Sequence, residues 1–103
     1  MNASDAIAVW KDALSSYEGR FSKDPVDGAL AFEGKDEGGH AFRATIRDYG
    51  DRVSVGCEYL GDEMGHYGCG CPCRTIGKVK QETEHMARSF RMKRKEFEQL
   101  KLW

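Results

Sequence analysis

The sequence has no long apolar run and no catalytic motif. No stretch approaches the roughly 20 apolar residues that cross a bilayer, and the start MNASDAIAVWKD carries an early acidic residue, unlike an export signal. A Ser-His-Asp order, a phosphate-binding glycine loop and a dinucleotide fingerprint are also missing. These absences predict a cytoplasmic protein without membrane attachment. They also argue against an enzyme and point to no small-molecule substrate.

A strong excess of charge of either sign is absent too. The 103 residues carry 16 basic and 17 acidic side chains, and this length is typical of a single domain over 1–103. The balance hides an asymmetry, because residues 1–65 hold 13 acidic and 7 basic side chains, whereas residues 66–103 hold 4 and 9. The basic half therefore either pairs with the acidic half or serves a separate partner.

The N-terminal segment has the apolar spacing of an amphipathic helix. Its apolar residues follow one another at steps of 3, 4, 3 and 4, which places them on one helical face: Ile7, Trp10, Leu14, Tyr17 and Phe21. Gly19 is suited to end this helix because glycine accepts the left-handed backbone conformation. The residues from 22 to 27 then form a connector.

Alternating apolar and polar residues predict three strands, over 28–34, 40–48 and 52–60. Turn sequences separate them, so an antiparallel meander with one apolar and one polar face is expected. The polar face would carry cross-strand ion pairs, formed by Arg43, Arg47 and Arg52 beside Glu33 and Glu58. His40, close to Glu33 and Asp36 in sequence, is interpreted as a solvated turn residue rather than an acid–base catalyst.

The C-terminal part predicts a long basic helix over 75–103, capped by Thr75. Its apolar stripe is interrupted at Lys93, so the helix either breaks near 92–96 or projects from the domain. The fold class is therefore α+β, in the order helix, three-stranded antiparallel meander, Cys-rich loop over 61–73, long helix. This order resembles the double-stranded RNA-binding domain in topology alone, and no residue role is carried over from that family.

All four cysteines lie in one segment, which predicts metal or disulfide chemistry. Zinc takes four thiolate or imidazole ligands, and five candidates are present, of which one is expected not to bind: Cys57, His66, Cys69, Cys71 and Cys73. The preferred set is the four cysteines, with His66 as a substitute, and the ion would be structural. A disulfide or redox pair is the first alternative. Cys57 also fits a buried apolar position on its strand.

The basic residues near the C-terminus motivate a nucleic-acid hypothesis. If the helix continues, Arg91, Arg94 and Lys95 share one face and form a phosphate-binding stripe together with Arg88. Pairing of this stripe with neighbouring glutamates on a solvated helix face is the favoured interpretation. Nucleic-acid binding is therefore the alternative function.

The favoured function is that of a small non-enzymatic interaction or regulatory protein, braced by a structural zinc or a cross-linked Cys loop. Its partner would be a larger protein or a second copy, held through the C-terminal helix by Phe97, Leu100 and Trp103. Phage-encoded inhibitors of host machinery share this size and lack of motifs, so binding and inhibiting a larger protein is one form of this hypothesis.

Overall fold

The computed structural model describes residues 1–23, 28–61 and 68–95, which form two α-helices and one five-stranded antiparallel sheet. Each strand pairs with its neighbours in sequence, in the order β1-β2-β3-β4-β5. Neither helix of the described segments is long and apolar enough to span a membrane. The elements, in chain order, are α1 (Ala3–Leu14), β1 (Arg20–Lys23), β2 (Leu30–Lys35), β3 (Ala41–Asp48), β4 (Val53–Tyr59), β5 (Gly68–Cys73) and α2 (Ile76–Ser89).

The α+β class is confirmed, and the three predicted strands correspond to β2, β3 and β4. The predicted three-stranded meander is wrong, because the described sheet has two more strands, one at each edge. β1 was expected to be helix end and connector. Instead Phe21 pairs with Phe32 on β2, and their ring centres lie 4.8 Å apart. This contact stabilises residues 20–23 as an edge strand. The predicted Cys-rich loop is wrong over Gly68–Cys73, which is the edge strand β5 paired with β4. Residues 62–67 of that loop lie outside the described residues.

Both helices pack on one face of the sheet and enclose the core. Trp10 and Leu14 of α1 and Val79 of α2 are almost fully buried, as are Phe32 and Phe42 of the sheet. Strand side chains alternate between faces, so the apolar residues of β3 and β4 meet the helices while their polar neighbours point away. The sheet therefore has a helix-covered face and a second face, here called the open face, on which no helix of the described residues packs.

A continuous helix over 75–103 is wrong, because α2 ends at Ser89 and residues 90–95 are not helical. The alternative of a break near 92–96 is closer, although the helix ends a few residues earlier, and residues 96–103 lie outside the described residues. Thr75 caps its start as predicted, and the Thr75 hydroxyl accepts a hydrogen bond from the Lys78 N–H at 3.1 Å. At the other end Arg91 has a φ of 53°. The Arg91 N–H donates to the Arg88 carbonyl and the Met92 N–H to the Ala87 carbonyl, which is the pattern of a Schellman stop. Met92 is buried, so core packing turns the chain back.

Candidate functional site

The four cysteines share the helix-covered face of two paired strands. Cys69, Cys71 and Cys73 alternate along β5, and Cys69 lies directly opposite Cys57 of β4. Solvent exposure of the cysteines decreases along β5: Cys69 is exposed, Cys71 is half-buried and Cys73 is buried. Cys57 on β4 is also buried. The structure therefore brings together all four cysteines of the predicted zinc set on one surface, and all four are free thiols.

An extended β5 spaces its three cysteines too widely for all of them to bind one ion. Residues two apart on a strand are separated by about 6.7 Å, whereas thiolates around a tetrahedral zinc lie about 3.8 Å apart for a Zn–S bond of about 2.3 Å. Consistent with this, the described residues contain no group of three or more His, Cys, Asp or Glu side chains arranged to hold a metal ion. His66 lies outside the described residues, so the zinc site stays a prediction.

The surroundings of Cys57, Cys69 and Cys73 raise the pKa values of their thiols. Burial, followed by the nearby Cys69 thiol, raises the pKa of Cys57 far above its ordinary value. Burial and the Glu82 carboxylate raise the pKa of Cys69, and burial raises the pKa of Cys73 to about 11. Glu82 itself pairs with Lys78 on α2, with 3.1 Å between Oε2 and Nζ. Because thiolates are the nucleophiles and metal ligands, these thiols are less reactive than ordinary cysteines.

The open face carries a row of alternating charges that crosses four strands. Cross-strand pairing places Arg20 opposite Glu33, Glu33 opposite Arg43, and Arg43 opposite Glu58. We call these four residues the charge ladder. Within it, Arg43 Nε lies 2.7 Å from Glu33 Oε2, so the expectation of cross-strand ion pairs on this face is confirmed for that pair.

A row of small residues runs parallel to the charge ladder and crosses all five strands. Its members lie directly opposite one another, and we call them the small row: Ser22, Ala31, Thr45, Gly56 and Gly70. A depression of about 420 Å³ opens on this part of the face, with Arg43, Thr45 and Glu58 in its lining. A Cβ at Gly56 would lie 3.2 Å from the Cys69 carbonyl oxygen. The small side chains therefore leave a depression in the middle of the open face.

The arginines of the nucleic-acid hypothesis do not form a helical stripe, because α2 ends before Arg91. Arg88, Arg91 and Arg94 instead line clefts beside Tyr17, which follows α1. The Arg94 guanidinium lies 5.1 Å from the Tyr17 ring centre, and Arg88 and Arg94 share one cleft with Tyr17. Arg91 pairs with Glu37, with 3.2 Å between Nη2 and Oε1. The Lys95 N–H donates to the Ser16 carbonyl. Acidic side chains also line the cleft, namely Asp12 and Glu84.

Asp36 lies in the turn sequence between β2 and β3, and the structure buries it, whereas the His40 side chain is half-buried. The Asp36 carboxylate accepts hydrogen bonds from the His40 N–H at 2.8 Å, the Gly38 N–H at 2.9 Å and the Tyr59 hydroxyl at 2.9 Å. Burial on its own would raise the pKa of Asp36, but these hydrogen bonds lower it below the ordinary value. The Tyr59 hydroxyl also lies 3.1 Å from the Phe90 carbonyl oxygen. The cluster thus anchors the end of α2 to the β2–β3 turn.

No family of known proteins, curated protein or solved structure matches this chain. The candidate sites therefore rest on the geometry of the described residues. Sequence reasoning placed Arg43, Glu33 and Glu58 on one polar face but did not align them with Arg20, because β1 was not predicted. The sequence feature that indicates β1 is Phe21, which lies on one side of a turn sequence at the position that matches Phe32 on the other side. The predicted partner-binding residues Phe97, Leu100 and Trp103 lie outside the described residues.

Proposed function

We propose that the protein is a small non-enzymatic interaction protein that docks another protein chain on its open sheet face. The observation that carries the proposal is the charge ladder, because its signs alternate in register across four strands. A polyanion such as nucleic acid would meet as many carboxylates as guanidinium groups there. A protein surface of alternating charge is the better complement.

The partner that matches this pattern is a second copy of the chain. In a face-to-face dimer with its two-fold axis parallel to the strands and between β2 and β3, the order of the ladder is reversed. Arg20 then faces Glu58 of the second copy, and Glu33 faces Arg43. The small row faces itself, so no large side chain of this row lies between the two sheets. No like charges of the ladder meet in this arrangement.

The size of the open face predicts weak association. Four strands about 4.8 Å apart and about 20 Å long present roughly 400 Å² per subunit, about half of what each partner buries in a standard interface. The ladder charges are also partly paired within each subunit, since Arg43 already contacts Glu33. We therefore expect a dimer that forms at high micromolar concentration and weakens as salt is added.

Sedimentation equilibrium over a range of protein concentrations tests the proposal. Arg43→Glu places three carboxylates side by side and is expected to weaken dimerisation by at least about tenfold. Arg88→Glu is the matched control, because it makes the same change at an exposed position of α2 on the other side of the sheet. A protein that stays monomeric at millimolar concentration, or a dimer that Arg43→Glu leaves intact, contradicts the proposal.

Nucleic-acid binding is the second candidate, and the position of Arg88, Arg91 and Arg94 in clefts beside Tyr17 favours it. An aromatic ring beside several guanidinium groups is a combination that single-stranded nucleic acids use, through base stacking and phosphate pairing. The salt dependence of binding to a mixed oligonucleotide tests it. Each lost phosphate contact should reduce the log–log slope by about one, so Arg88→Glu and Arg94→Ala should flatten it while Arg43→Glu should not. No retention at low salt eliminates this candidate.

A further inference from the structure

We infer that Cys57 and Cys69 form an intramolecular disulfide when the protein meets a small-molecule disulfide such as oxidised glutathione. The two residues lie directly opposite each other on β4 and β5, and their side chains share the helix-covered face. Directly opposed residues of antiparallel strands have Cα atoms about 4.5–5.5 Å apart. This separation falls within the Cα range that a disulfide spans, about 4.4–6.8 Å, and the Cβ atoms of such a pair, about 4.5–5.5 Å apart, reach the upper end of the range of about 3.5–4.5 Å found between bonded cysteines.

Strand geometry disfavours the other five pairings among the four cysteines. Cys69 and Cys71 lie on one strand with parallel side chains about 6.7 Å apart, whereas bonded cysteines need Cβ atoms about 3.5–4.5 Å apart. The same holds for Cys71 and Cys73. The diagonal pair Cys57 and Cys71 is about 7–8 Å apart, and the two remaining pairs are farther apart still.

The exposure of the two thiols fits a two-step exchange. Cys69 is exposed, so the small ionised fraction of its thiol reaches the small disulfide RSSR; this thiolate attacks one sulfur, and one RS⁻ leaves. The raised pKa of Cys69 makes this step slow but does not prevent it. The buried Cys57 loses its proton and attacks the Cys69 sulfur of the mixed disulfide, which expels the second RS⁻. The two thiol protons of the protein end on the released RS⁻ groups. Overall, one protein dithiol and one RSSR give one protein disulfide and two RSH.

The consequence of the bond is a fixed edge strand. β5 pairs only with β4 in the described sheet, so it is the strand that opens most easily on this side. The bond joins β5 to β4 covalently and closes the chain between Cys57 and Cys69. Oxidation therefore fixes the strand that carries three of the four cysteines. The proposal is independent of docking on the open face, because both thiols lie on the opposite side of the sheet.

Mass spectrometry of the reduced, chelator-treated protein after equilibration with oxidised glutathione tests the inference. The expected product is monomeric on a non-reducing gel and lighter by about 2 Da, with two cysteines still open to alkylation. Trypsin leaves all four cysteines on one peptide, but cleavage after Glu58 and Glu63 separates Cys57 from the others. The expected map links Cys57 to the peptide of β5, with Cys71 and Cys73 alkylated.

Single substitutions separate this pair from its neighbours. Cys69→Ser should abolish the cross-link, whereas the matched Cys71→Ser should keep it. Oxidation should raise the thermal midpoint of the wild type by about 5–15 °C and slow amide exchange in β5, and Cys69→Ser should show neither change. A cross-link that includes Cys71 or Cys73, a covalent dimer, or a protein that stays fully reduced in excess oxidised glutathione would overturn the inference.

Discussion

The Tyr59 hydroxyl lies 2.9 Å from Oδ2 of Asp36, beneath the turn where α2 ends. Removing this hydroxyl takes away the one proton that the Asp36 carboxylate and the Phe90 carbonyl share. We expect Tyr59→Phe to lower the free energy of unfolding by about 1–3 kcal/mol, measured by urea denaturation. Tyr49→Phe is the control, because Tyr49 is an exposed tyrosine outside this cluster. Equal stability of the two variants would contradict the anchoring role.

Asp36 also predicts a loss of stability in acid. Because its folded pKa is lowered from the ordinary 3.8, its contribution is complete above the unfolded-state pKa and is lost as pH falls through the folded pKa. The stability difference between pH 6 and pH 3 should therefore be smaller in Asp36→Asn than in the wild type. The exposed Asp12→Asn is the control and should retain the wild-type difference. An unchanged acid profile in Asp36→Asn would count against the carboxylate.

Arg91 occupies a left-handed position where glycine is the favoured residue. We expect Arg91→Gly to be about 1 kcal/mol more stable than Arg91→Ala, because alanine keeps the steric cost at a φ of 53°. Both variants lose the exposed ion pair with Glu37, so the difference between their unfolding free energies reports the cost of the left-handed backbone conformation alone. Thermal unfolding measures it. An alanine variant as stable as the glycine variant would show that this conformation carries no strain.

The zinc prediction is tested by native mass spectrometry of the reduced protein with added zinc. If the predicted structural site exists, each chain should bind one zinc ion. The variants Cys57→Ser and Cys73→Ser should each lose this ion. Two thiols at most converge in the described strands, so a bound ion would require β5 to leave its extended conformation. A chain without tightly bound zinc would remove the site and leave the cysteines to thiol chemistry.

The C-terminal residues and the open face are two alternative candidates for the surface that binds the second copy. Truncation after Lys95 removes Phe97, Leu100 and Trp103, the residues that the sequence predicts to hold a partner. Docking on the open face predicts an unchanged dimerisation constant in sedimentation experiments on the truncated chain. Loss of self-association with an unchanged circular dichroism spectrum would assign the contact to the tail instead.

The sequence predicted the elements whose periodicity is long and regular. Three strands, the start of α2 and its buried stripe through Phe90 follow from alternation and from steps of three and four. β1 was missed because it has only four residues, and Phe21, its one apolar residue, also continues the 3–4 spacing of the N-terminal helix. The end of α2 was placed only as one alternative, a break near 92–96, because its stop residue is Arg91 rather than glycine; the capping hydrogen bonds and the burial of Met92 account for the reversal.

The candidate sites were less predictable because they depend on pairing between strands. The Cys-x-Cys spacing was interpreted as a metal loop, although alternate cysteines also fit a strand with one buried face. Proline and several glycines obscured that pattern, since both are uncommon inside strands. The charge ladder required the register of four strands, and no single segment of the sequence specifies that register.

The most direct test of docking between two copies is sedimentation equilibrium of the charge-swapped pair Glu33→Arg with Arg43→Glu. The double variant keeps the ion pair within each subunit, and position 33 still faces the opposite charge at position 43 of the second copy. Our account predicts that Arg43→Glu alone weakens the dimer by at least about tenfold and that adding Glu33→Arg recovers most of that loss; the rest reflects the like charges that the swap places beside Arg20 and Glu58. A folded double variant that dimerises no better than Arg43→Glu alone would contradict it.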